Sequence, residues 1–206
     1  MSELKTDRYK SREGFSLVEL IITIAIMVVM VGGAALSIGL LRSADTQGLA
    51  SGINGSLTDL KAYTESQKGP IYMYIYKVNG EGYYAHYSFP DEHGVNHLDP
   101  ASFSSGSAFT AVYGDGDQKL GSDALDVKVA YDDGSGGVNM EEITGAAYAV
   151  IRIQKKDGSY LDVANESGTF TKTVPKWIGV YKSGETDPDY KVVLAKGTGL
   201  HFSEQQ

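Results

Sequence analysis

Glu19 is the residue whose placement asks for a chemical explanation. It stands in Gly14-Phe15-Ser16-Leu17-Val18-Glu19-Leu20, with apolar residues on both sides, and no charged residue follows from Leu20 to Leu41. A carboxylate in hydrocarbon costs on the order of a few kcal/mol unless a cation pairs with it. No cation lies nearby on the same helix face, so a partner must come from outside the segment. Gly14 opens this string, and with no side chain it lets another protein approach the backbone closely.

Two further sets of residues have metal-ligand chemistry. His86, His93 and His97 fall within twelve residues, but the last two share a loop that assures no geometry. Asp115, Asp117 and Asp123 punctuate GDGDQKLGSD, a spacing that lacks the twelfth-position Glu of an EF-hand loop. A solvated turn is therefore expected there, with calcium binding by the Asp115/Asp117 loop as the alternative. The chain has no G-x-S-x-G, no H-E-x-x-H, no P-loop and no dinucleotide fingerprint. Neither an enzymatic activity nor a cofactor is expected.

The elements that must carry these residues follow from periodicity. The chain has 206 residues and a formal charge of −8. Residues 1–14 hold Lys5, Arg8, Lys10 and Arg12 against Glu3, Asp7 and Glu13, so they carry +1 and the rest carries −9. The lysines beyond are scattered, which disfavours a nucleic-acid partner. Absence of cysteine excludes a disulfide framework, a Cys-based zinc site and a thiol nucleophile. The apolar run from Leu20 to Leu41 meets the requirement of about 20 residues for a membrane-spanning helix. A basic leader before it and acidic bulk after it place the N-terminus in the cytoplasm and the rest outside.

After Arg42 the pattern stays helical and becomes amphipathic, with Leu49, Ile53, Leu57 and Leu60 at steps of four, four and three. Gly48, Gly52 and Gly55 weaken this helix, and Gly69-Pro70 stops it. Strands follow. Ile71, Met73 and Ile75 face the helix, while Tyr72, Tyr74 and Tyr76 form a half-buried row on the other side. Asn79-Gly80 turns the chain into a return strand over Gly82 to Phe89. Further strands are expected at 108–113, Ala124 to Tyr131, Ala147 to Lys155, Tyr160 to Val163, Trp177 to Tyr181 and Tyr190 to Ala195, with Asp157-Gly158 as a second hairpin turn. The expected class is α+β: a long N-terminal helix packed on a mainly antiparallel sheet domain. Its parts are a leader at 1–14, a membrane or filament-core helix at 15–41, an amphipathic continuation at 42–68 and an extracytoplasmic β-rich domain at 69–206.

The charged leader, Gly14, Phe15, three small or apolar residues, Glu19 and the apolar helix together resemble the type IV prepilin signature of major pilins, minor pilins and pseudopilins. The resemblance covers about the first 45 residues. It implies a prepilin peptidase that cuts between Gly14 and Phe15 and N-methylates Phe15. It also implies other copies of the chain and other pilins as partners, with the membrane as host before assembly and the cell surface after it. Glu19 would then neutralise the new Phe15 amino group of a neighbouring subunit, because each charge is costly alone and much less so paired. Two residues depart from the family pattern: Glu13 stands where a basic residue is common, and Leu36 stands where many pilins carry a proline. Gly32-Gly33, just before Leu36, offers either local weakness or close helix packing. A rival is an ordinary signal peptide, with Leu20 to Val31 as its apolar region and a cut after Gly33-Ala34-Ala35. The continuing apolar residues Leu36, Ile38, Leu40 and Leu41 argue against it.

Overall fold

The computed structural model describes residues 17–94, 117–164 and 171–206; the side chains of 31–43, 164 and 171 lie outside the description. The strand expected at 108–113 lies outside the described residues. The chain divides into two compact units, Met1–Leu41 and Arg42–Gln206, and the α+β class is the one expected. Helix α1 spans Leu17–Ser66 and contributes to both units. It stops before Gly69-Pro70, where proline removes a donor and clashes with a helical backbone.

In the second unit the strands form two five-stranded sheets, and every pairing is antiparallel. The first sheet contains β1 (Tyr72–Val78), β2 (Gly82–Ser88), β3 (Gln118–Gly121), β6 (Ala149–Ile153) and β7 (Tyr160–Leu161), in the order β3-β2-β1-β6-β7. The second contains β4 (Leu125–Asp132), β5 (Val138–Glu142), β10 (Pro175–Lys182), β11 (Tyr190–Ala195) and β12 (Leu200–Gln205), in the order β12-β11-β10-β4-β5. A two-stranded ribbon joins β8 (Val163–Ala164) to β9 (Thr171–Lys172).

One core unites the amphipathic part of α1 with both sheets. Leu49, Ile53, Leu57 and Leu60 are fully buried among Ile71, Met73 and Ile75 of the first sheet and Val127, Ile178 and Val192 of the second. The spacing of the helix stripe and the alternation of the strands therefore identified the faces that meet. Gly52 has a packing role as well as a helix-weakening one. A Cβ there would lie 3.3 Å from the Leu120 carbonyl oxygen, so its absence lets the helix come close to β3.

The Asn79-Gly80 turn joins β1 to β2, with Val78 opposite Gly82, the Glu81 amide donating to Val78 O at 3.1 Å, and Gly80 at φ +81°. That left-handed conformation is one glycine adopts readily. Asp157-Gly158 likewise joins β6 to β7.

Two expectations need correction. The tyrosine row is buried, not half-buried: Tyr74 and Tyr76 are at most 1% exposed. With Tyr72, Tyr84, Tyr148, Val150 and Val163 they make a second apolar cluster on the other face of the first sheet. Nor is GDGDQKLGSD simply a solvated turn, because Gln118–Gly121 is β3, paired with β2, and Leu120 is buried in the main core. Strand pairing and one well-placed leucine outweigh the loop-like composition of the flanks.

Candidate processing and assembly site

Gly14 and Phe15 lie outside the described residues. Glu19 sits in the first turn of α1, where a carboxylate is favoured by the partial positive charge of the helix N-terminus. Among the described residues no cation pairs with it. The side chains around it are apolar and exposed on every side of the helix: Leu17, Val18, Leu20, Ile21, Ile22, Ile24, Ile26 and Met27 through Met30 are all more than half exposed. The Thr23 hydroxyl turns inward, donating to Leu20 O at 2.9 Å.

A helix that is apolar all round belongs in a lipid or protein surround, because each square ångström removed from water is worth about 25 cal/mol. Among the described residues no helix is long and apolar enough to cross a membrane. The described side chains of this stretch end at Met30, short of the Leu41 to which the uncharged run extends.

The metal-ligand candidates sort differently from their sequence grouping. His86 on β2 has its Nδ1 2.5 Å from Asp117 Oδ1, just before β3. The Tyr76 hydroxyl, from β1, donates to the second oxygen of Asp117. The carboxylate is buried, and both its oxygens are engaged by protein groups. Such an arrangement satisfies a buried acceptor and ties three strands together. His93 is exposed, with its Nδ1 3.9 Å from carboxylate oxygens of Asp91 and Glu92. Asp115 and His97 lie outside the described residues. Among the described residues no three His, Asp or Glu side chains are placed to hold a metal ion. The His86–Asp117 pair was missed because 31 residues separate the partners, and only the pairing of β2 with β3 brings them together.

Comparison with curated proteins and with solved structures finds no match. A family model for the prokaryotic N-terminal methylation motif matches residues 9–35. This span contains Gly14, Phe15, Glu19 and the exposed apolar start of α1. The chain thus carries the N-terminal hallmark of type IV pilin and pseudopilin precursors of the prepilin type.

Proposed function

We propose that this chain is a type IV pilin-like structural subunit. Prepilin peptidase cuts the membrane-held precursor after Gly14, removing the leader at 1–14, and methylates the new terminal Phe15. The apolar helix at 15–41 then leaves the membrane for the core of a helical surface filament, in which other copies surround it. Residues 42–68 dock it on the β-rich domain at 69–206. The observation that carries this reading is the methylation motif at residues 9–35, and the exposed apolar helix around Glu19 supports it.

Glu19 sets the axial register. Cleavage creates a cationic α-amino group at Phe15, and a neighbour's Glu19 neutralises it in an apolar surround. An axial slip strands both charges, each costing several kcal/mol on the order of a buried ion. A heterologous contact of this kind propagates without closing into a ring, as a filament requires. The role is structural rather than enzymatic.

Mass spectrometry of the N-terminus of the protein taken from its own cells tests the proposal. The expected terminus is N-methylated Phe15. A terminus at Met1 would refute processing, and one at Leu36 would establish an ordinary signal peptide.

A further inference from the structure

Strand β12 is anchored to the rest of the second unit by a single side chain. Of its six residues only His201 is not exposed. Among the described residues its one strand partner is β11. His201 reaches past that ladder to two other elements. The Tyr160 hydroxyl of β7 lies 2.8 Å from Nδ1, and the Thr58 hydroxyl of α1 lies 3.1 Å from Nε2. The turn before β12 is seated closely too. The Tyr160 amide donates to Lys196 O at 3.0 Å, and Gly199 approaches the Gly158 carbonyl with no room for a Cβ.

The neighbours decide where the imidazole carries its proton. The Thr58 hydroxyl commits its hydrogen to Asn54 O at 3.1 Å, so it accepts from His201, and the proton sits on Nε2. Nδ1 then accepts from the Tyr160 hydroxyl. Every hydrogen in the chain Tyr160, His201, Thr58, Asn54 O has an acceptor, and the ring is neutral. A second proton, on Nδ1, would meet the Tyr160 hydroxyl head-on. That hydroxyl would have to turn its hydrogen away, and Tyr160 is 1% exposed in the main apolar core. Among the described residues no other acceptor bonds it, so protonation leaves a buried donor unmade.

The surrounding charges point the same way. Burial holds the imidazole below the ordinary histidine range, and the Lys61 ammonium of α1 adds to this against the Gly199 and Asn54 carbonyls. Among the described residues no carboxylate pairs with the ring. The two nearest on the first-sheet side are engaged elsewhere: Asp157 accepts from the Ser159 hydroxyl at 2.7 Å, and Asp162 from Lys196 Nζ at 2.8 Å. Both carboxyls lie below their ordinary range, Asp157 through its bonds from Ser159 and Asp162 because Lys196 outweighs its burial.

We propose that His201 is an acid-operated latch on β12: the neutral ring ties the strand to α1 and β7, and the protonated ring releases it. The released ring binds a proton more readily than the latched one, so lowering the pH favours release. The effect sets in as the pH falls below about 6.5, where a free imidazole titrates, and is absent above that. Release uncovers the outer edge of β11. The device does not depend on leader processing.

The test is hydrogen–deuterium exchange of the full-length chain in zwitterionic detergent, read by mass spectrometry at about pH 7.5 and about pH 5, on either side of that value. Rates are corrected for intrinsic exchange, and the peptide over Leu200–Gln205 is compared with the one over Leu125–Asp132. Protection of β12 is expected to fall at least about fivefold at the lower pH, the low end for coupling between two sites, while β4 stays as it was. His201→Gln cannot charge and should abolish the difference. Lys61→Gln should move the midpoint of release to higher pH. Unchanged protection in the wild type overturns the proposal, as does an equal fall in His201→Gln, which would assign the effect to carboxylates. If His201→Gln leaves β12 unprotected at both pH values, Lys61→Gln decides: an unshifted midpoint then overturns the latch. None of these outcomes bears on the N-terminal mass, so failure of the latch and failure of the pilin reading are told apart.

Discussion

The hydroxyl of Tyr83, on β2 of the first sheet, donates a 2.9 Å hydrogen bond to the backbone carbonyl of Leu125, where β4 of the second sheet begins. Tyr83 is fully buried, so this bond ties the two sheets together inside the core. Tyr83→Phe keeps the ring and leaves the buried Leu125 carbonyl without that donor. A loss of about 1–2 kcal/mol is expected. Urea unfolding of the full-length chain in detergent should show a lower midpoint at an unchanged slope. An unchanged midpoint would show that the bond adds nothing.

Burial pushes the phenols of Tyr83, Tyr131 and Tyr160 well above the usual tyrosine range, and it pushes Tyr87 up to about 12. In each the folded value lies above the unfolded one, so below pH 10 the folded state keeps its full advantage. Above that the unfolded chain releases protons that the folded chain holds, and stability falls with rising pH. The unfolding midpoint should therefore be insensitive to these groups between about pH 8 and 9.5, then drop from about pH 10 towards 12. The share of the tyrosinate absorbance that belongs to these four of the chain's 14 tyrosines should rise along with unfolding, not before it. Full ionisation of the tyrosines in a still-folded chain would contradict it.

Ile53 is fully buried on the face of α1 that meets both sheets. Ile53→Ala should lower stability by about 2–5 kcal/mol through lost transfer energy and a residual cavity. Leader removal should survive, because the motif lies at residues 9–35. Loss of both folding and cleavage in this variant would mean that the peptidase reads more than the N-terminal segment.

Gly14→Leu obstructs the backbone approach to the cut, and the expected product keeps its leader by mass. Glu19→Ala should be cut normally but enter filaments at least about tenfold less well, since 1.4 kcal/mol of lost pairing already gives that factor. Filament yield equal to wild type would count against the pairing of Glu19 with the Phe15 amine.

Sequence alone determined whatever rests on local periodicity. The stripe at Leu49, Ile53, Leu57 and Leu60, the alternation at Ile71, Met73 and Ile75, and the turns at Asn79-Gly80 and Asp157-Gly158 were all legible. In each, a few neighbouring side chains state the backbone geometry and the face to be buried. The motif around Gly14, Phe15 and Glu19 was legible for a related reason: a carboxylate at the head of an uncharged run conflicts with its surroundings unless something outside answers it. The edge strands β5 and β12 were not foreseen. Their large apolar residues, Val138, Met140, Leu200 and Phe202, stay exposed, so no core-facing alternation announces them. They exist because β4 and β11 offer them backbone partners. Tertiary structure alone also buried the tyrosine row and joined His86 to Asp117. Those relationships link positions tens of residues apart, and only the pairing of strands and the docking of the helix bring them within reach of one another.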